Sequence, residues 1–261
     1  MPEGVEIEIY RRAAEQTVGR AILGVEAPDA FFVKGGASPG QVIASLKSRT
    51  ITGTDRIGKL LLIELDEQPA ALGIRFGMTG RIVVDDRAPI DHLEYASGRD
   101  DPAWDRFRLR FSAGGSLRVN DPRRLGGVEL EPDIGRLGVD LFAITPLRLQ
   151  RALGESSVAI KARLLDQSRV AGVGNLIADE TLWRAGIDPQ RSTSSLSETE
   201  VQRLATTLRR TAGRLFDQGG SHTGRLQIAR VRGGLCPRDG ALLLRRSIGG
   251  RTTYSCPVHQ V

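Results

Sequence analysis

Residues 171–189 read AGVGNLIADETLWRAGIDP: a glycine-rich turn, then a helix that stops at Gly186. Backbone N–H groups at the start of such a helix lie open, which suits contact with an anion. Downstream, Ser197-Glu198-Thr199-Glu200 is a capping box, with Leu196 and Val201 placed as a hydrophobic staple. Val201, Leu204, Leu208 and Leu215 then line one face before Gly219-Gly220 ends the helix. Helices joined by turns of this kind predict a helix-turn-helix type unit, and the helical period sets in near residue 145.

Upstream the texture differs. Val5, Ile9 and Ala13 recur at helical spacing within residues 3–18, with Glu6, Arg11 and Arg12 on other faces. From about residue 20 to 130 the chain reads as strands broken by Gly, Asp and Pro turns. These are RAILGVEA, QVIASLKSRTITGTD, KLLLIEL, LGIRFGMTGRIVV, RFRLRFS and SLRVN. Many short strands of this kind predict an antiparallel sandwich.

The tail carries both cysteines. Two residues separate Cys236 from Asp239 and Cys256 from His259, and sixteen residues lie between the pairs. All four side chains can ligate Zn²⁺, so two knuckles joined by a hairpin predict one structural zinc per chain, a degenerate finger without metal being the alternative. ALLLRRS and RTTYS are the expected strands, joined at Ile248-Gly249-Gly250 with Arg251 near the tip.

The 261 residues carry a formal charge of +6, and only Lys34, Lys47, Lys59 and Lys161 among the cations are lysines. That balance points to a polyanionic partner. The absence of a secretory leader or a long apolar run leads us to expect a cytoplasmic protein without a membrane anchor.

The chain opens MPEGVEIEIYRR. Initiator Met is trimmed when a small residue follows, which would make Pro2 the amino terminus, a secondary amine that is partly uncharged near neutral pH. Pro and Glu also suit the first turn of a helix for plain structural reasons.

Taken together, PEGVEIE, GKLLLIEL, RFGMTG, NDPRRLGG, IKARLLDQSRVAGVGN with ADETLWRAGIDP, and the tail with RTTYSC occur in an order that resembles the formamidopyrimidine-DNA glycosylase and endonuclease VIII family. The resemblance implies an α+β multidomain fold: an N-terminal helix on a two-layered antiparallel β-sandwich (residues 1–132), a helix–two-turn–helix domain (145–225) and a zinc-finger-like β-hairpin (226–261). It further implies a monomeric base-excision-repair DNA glycosylase with apurinic/apyrimidinic lyase activity on oxidised bases, needing no nucleotide cofactor. A catalytically weak binder of damaged DNA on the same scaffold is the alternative.

Residue by residue, Pro2 matches the family's amine nucleophile, Glu3 its proton-shuttling carboxylate, and Glu6 an auxiliary acid that orients the amine. Lys59 matches a lysine on a sandwich strand near the lesion's phosphate. Lys161, Asn175 and Arg251 match residues that grip the DNA backbone, and Met78 and Arg123 match side chains that fill the gap left by an everted nucleotide. Leu125 stands where the purine-directed branch carries a Phe wedge, Asp239 and His259 stand where it has zinc cysteines, and SHTGRL (221–226) replaces its long loop. The lesion is therefore left open between oxidised purines and pyrimidines.

Overall fold

The computed structural model describes residues 2–68, 70–91, 93–94 and 98–261. Met1, whose removal the sequence analysis expects, lies outside the described residues. The described chain falls into two compact units: Pro2 with residues 6–135, and residues 3–5 with 136–261.

The first unit holds two four-stranded antiparallel sheets. One runs in the order β1 (Ile22–Glu26), β6 (Asp105–Phe111), β7 (Ser116–Asn120), β5 (Arg81–Val84). The other runs β2 (Ile51–Ile57), β3 (Leu60–Leu65), β4 (Ala71–Arg75), β8 (Gly127–Leu130). Ile22, Phe107, Leu109, Val119, Ile51, Leu61, Ile63 and Ile74 from the two sheets share one buried core. The expected two-layered antiparallel arrangement is thus present.

Three local readings are corrected. Residues 41–46, expected as strand, belong to helix α2 (Pro39–Leu46). Ser38 caps it, accepting from Gln41 N–H while the Gln41 side chain accepts from Ser38 N–H, and Pro39 supplies the first turn. The buried pair Val42 and Leu46 is spaced for a helix; the branched Val42-Ile43 pair had suggested a strand. Lys59 lies in the two-residue turn between β2 and β3, and Met78 in the turn between β4 and β5, neither within a strand. The first helix, α1, spans Gly4–Glu15, and its residues in the first unit's core are Ile7, Tyr10 and Ala14; Ile9 and Ala13 of the expected apolar stripe are only partly buried.

The second unit is mainly helical: α3 (Pro146–Leu153), α4 (Ile160–Leu165), α5 (Asn175–Ala185) and α6 (Glu198–Asp217), with a short parallel pair of β9 (Val139–Asp140) and β10 (Val170–Ala171). It ends in an antiparallel hairpin of β11 (Leu244–Ile248) and β12 (Arg251–Ser255), turning at Gly249-Gly250. The capping box of α6 forms as expected, and Val201, Leu204, Leu208 and Leu215 are buried. No helix among the described residues is long and apolar enough to cross a membrane.

Glu200 closes that box and is also gripped by the Arg191 fork at 2.5 and 3.0 Å. The guanidinium foremost, then the Ser197 donors, draw its carboxyl from the ordinary 4.5 to about 2. A depressed carboxylate pKa stabilises the fold above its unfolded value, and that stabilisation fades as pH falls through the folded value. Denaturant unfolding of Glu200→Gln should therefore show lower stability than the parent at neutral pH, with the gap closing as pH falls from 4.5 towards 2. A gap that is independent of pH would remove the ionised Glu200 from the account.

Candidate active site and metal centre

In the first unit, Pro2, Lys59, Met78 and Leu125 line one cleft of about 420 Å³, together with Arg75 and Phe76. The loop after β7 shapes it through one buried acid. Asp121 accepts from the Thr79 hydroxyl at 2.6 Å, from Arg123 N–H at 3.2 Å and from Gly126 N–H at 2.9 Å. Gly77 permits the approach: its φ is +59°, and a Cβ there would stand 2.5 Å from the Leu125 carbonyl carbon. Leu125 is consequently held beside Met78 while remaining 49% exposed. Arg123 is exposed on the same loop. Glu6 is buried and does not line the cleft; its charge, after burial itself, pushes the Tyr10 phenol up from its usual pKa.

In the second unit, the glycine-rich turn closes on Glu3. Gly174 and Ile177 N–H groups donate to one carboxylate oxygen at 3.1 and 3.0 Å, and Leu176 N–H donates to the other at 2.8 Å. The first turn of α5 thus presents three donors and the positive end of its dipole to one carboxylate. A Cβ at Gly174 would fall 2.2 Å from the Glu3 carboxyl carbon, so any side chain there would push the carboxylate out of its place. Sequence reasoning passed over this glycine, although a Gly directly before a helix without a capping side chain marks a place where something else approaches the backbone.

Lys161 is the clear departure from expectation. It is 0% exposed, so it does not present its ammonium to a DNA backbone. Its Nζ lies 2.7 Å from Asp179 and donates to the Thr253 hydroxyl at 2.6 Å. Burial pushes the Lys161 pKa down and the Asp179 pKa up, and their mutual attraction opposes both. Arg230 adds a second cation on Asp179 at 3.1 Å, and Tyr254 N–H donates to the same carboxylate. Asn175 donates to the Thr252 carbonyl at 3.2 Å, and Lys161 and Arg230 approach that carbonyl at 3.4 Å. The network therefore anchors the start of β12, next to Arg251, which is exposed and paired with Ile248. Asp179 and Arg230 were not foreseen; acids inside the apolar run LIADETLW were the available signal.

Cys236, Asp239, Cys256 and His259 come together, each with a ligand atom within 4.8 Å of the others. Cys236 Sγ lies 3.8 Å from His259 Nδ1 and Cys256 Sγ 3.3 Å from Asp239, close to the roughly 3.3–3.8 Å edges of a tetrahedral zinc site. N–H groups also point at both sulfurs: Trp183 Nε1–H and Arg238 N–H donate to Cys236, and Val258 N–H donates to Cys256. His259 Nε2 lies 3.2 Å from the Trp183 carbonyl, which directs its Nδ1 towards the cluster. These residues fit a structural metal.

Comparison with known proteins agrees with this layout. Residues 1–128 match the family model for the formamidopyrimidine-DNA glycosylase N-terminal domain, and residues 140–224 match that for the formamidopyrimidine-DNA glycosylase H2TH domain. The chain belongs to the formamidopyrimidine-DNA glycosylase family. It is 32% identical to the formamidopyrimidine-DNA glycosylase of Pelotomaculum thermopropionicum over 100% of this chain and 99% of that one. The Halalkalibacterium halodurans enzyme is 30% identical over the full length of both. Among solved structures, Lactococcus lactis formamidopyrimidine-DNA glycosylase bound non-covalently to DNA containing an AP site superposes with a TM-score of 0.82, 27% identity and 99% coverage of both chains.

Elemental analysis of the purified glycosylase-family protein should find about one zinc per chain. Cys256→Ser should lower that content and loosen the β11–β12 hairpin, read by hydrogen exchange. No bound metal would assign the cluster to a finger held by its own hydrogen bonds.

Proposed function

We propose that this protein is a monomeric DNA glycosylase with apurinic/apyrimidinic lyase activity that removes oxidised bases from DNA. The observation that carries the reading is that Pro2 lines a cleft with Lys59 and Met78, the residues the family resemblance assigns to the lesion. Family membership supports the glycosylase class, and the L. lactis relative has been solved with AP-site-containing, Fapy-dG-containing and oxidised-pyrimidine-containing DNA.

The chemistry follows from the residues. The lone pair of the Pro2 nitrogen attacks C1′ of the everted nucleotide, the glycosidic bond breaks, and the base leaves with a proton. Ring opening yields an iminium between Pro2 and the sugar. This electron sink acidifies the C2′ proton, whose removal expels the 3′ phosphate; a second elimination expels the 5′ phosphate, and water then frees Pro2. Glu3, held in one orientation by three N–H donors, moves protons to and from the sugar oxygen. Lys59 in its turn and Arg251 at the hairpin are the phosphate contacts, whereas Lys161 acts as a positioning residue for the β12 start. A zinc ion held by Cys236, Asp239, Cys256 and His259 would supply structure to the hairpin and no step of the reaction.

The exposed aliphatic Leu125 and the short 221–226 connection favour a second reading, a damage-binding protein of low turnover. Glu180 fastens that connection, accepting from Arg225 and Leu226 N–H groups at 3.2 and 2.8 Å. Borohydride trapping on an abasic-site duplex distinguishes the two. A covalent adduct of the mature protein is expected, and Glu3→Gln should bind the same duplex while releasing oxidised base at least about a hundredfold more slowly, the scale of general acid–base catalysis. Binding without any adduct would favour the low-turnover reading; parental base release by Glu3→Gln would exclude the proposed shuttle.

A further inference from the structure

At the far end of α5, roughly 14 Å along the helix from Asn175, lies a second polar site. Thr207, Arg210, Thr211 and Arg214 recur at helical spacing on one face of α6, and with Arg184 of α5 they line a pocket of about 190 Å³. Arg184 is paired with Glu180 at 2.6 Å. Arg210 and Arg214 have no acid within salt-bridge distance among the described residues, and at i and i+4 they repel each other.

The decisive feature is Thr211. It is 2% exposed, it lines this pocket, and its buried hydroxyl has no hydrogen-bond partner among the described residues. It occupies the row of Val201, Leu204, Leu208 and Leu215, where an aliphatic residue would meet no such penalty. A buried hydroxyl and two arginines without an acid partner, all lining one pocket, make a donor set for a compact oxyanion, and Arg forks match phosphate geometry.

We infer that this pocket binds a phosphate group, through Arg210, Arg214 and the Thr211 hydroxyl, at a site separate from the α5 N-terminus. The ligand is either a backbone phosphate of nucleic acid or free inorganic phosphate. The site does not depend on the glycosylase reading.

The test titrates the full chain with sodium phosphate against sodium chloride at equal ionic strength, following the thermal midpoint and ³¹P line width. Saturable phosphate binding is expected, weakened at least about tenfold in Arg210→Ala/Arg214→Ala and about fivefold in Thr211→Val, the loss of one hydrogen bond. Arg209→Ala, which removes a charge away from the lining residues, should bind as the parent does. A salt titration of duplex binding then identifies the source: a slope reduced by about one in the double variant assigns the pocket to backbone phosphate, and an unchanged slope with phosphate affinity lost assigns it to free phosphate. Phosphate binding that is not saturable, or equal in parent, double variant and Thr211→Val with the variants folded by circular dichroism, would overturn the assignment.

Discussion

Three backbone N–H groups converge on the carboxylate of Glu3, and much else follows from that contact. Gly174, Leu176 and Ile177 can donate to it because the turn before α5 carries no side chain at position 174. Gly4 N–H donates to the Gly172 carbonyl at 2.8 Å, so the chain is held on both sides of the same glutamate's backbone and side chain. Pro2 is one peptide unit away, about 3.8 Å between Cα atoms. A terminus normally frays. Here Glu3, the residue after Pro2, is tied, and on the proposed reading that steadies the Pro2 amine for attack.

The second unit applies the same logic to its hairpin. Lys161 and Arg230 share the buried Asp179, and each, like Asn175, also donates to the Thr252 carbonyl. Burying two cations against one carboxylate gains little net stability over an apolar cluster, but removing one partner is expensive, on the order of 3–5 kcal/mol. The arrangement confers a defined position on the start of β12 and so on Arg251. At the other end of the hairpin, Trp183 of α5 donates to Cys236 and its carbonyl accepts from His259. A short, apolar-poor tail is thereby ordered by polar contacts at both ends.

What could be read beforehand tracked local chemistry. The α6 capping box, the α5 stop at Gly186, the β11–β12 turn and the four converging ligands are each written in a few adjacent residues. Misreadings arose where context overrode the local pattern. Val42-Ile43 favours a strand by itself, but Ser38, Pro39 and Gln41 start a helix. Lys161 reads as a surface cation until Asp179, eighteen residues on, is seen to absorb it. Glu6 lies off the stripe of Val5, Ile9 and Ala13 and is nevertheless buried. The role of Gly174 depends on Glu3, 171 residues away in the chain, a pairing that no periodicity encodes.

The proposed reaction requires a free secondary amine at Pro2, the residue that precedes the fixed Glu3. The most direct measurement is strand incision at an abasic site by a chain carrying one non-removable residue ahead of Pro2, with DNA affinity measured in parallel. The amide has no nucleophilic lone pair, so affinity should persist while incision falls to background. Incision at the rate of the unextended chain would contradict the account.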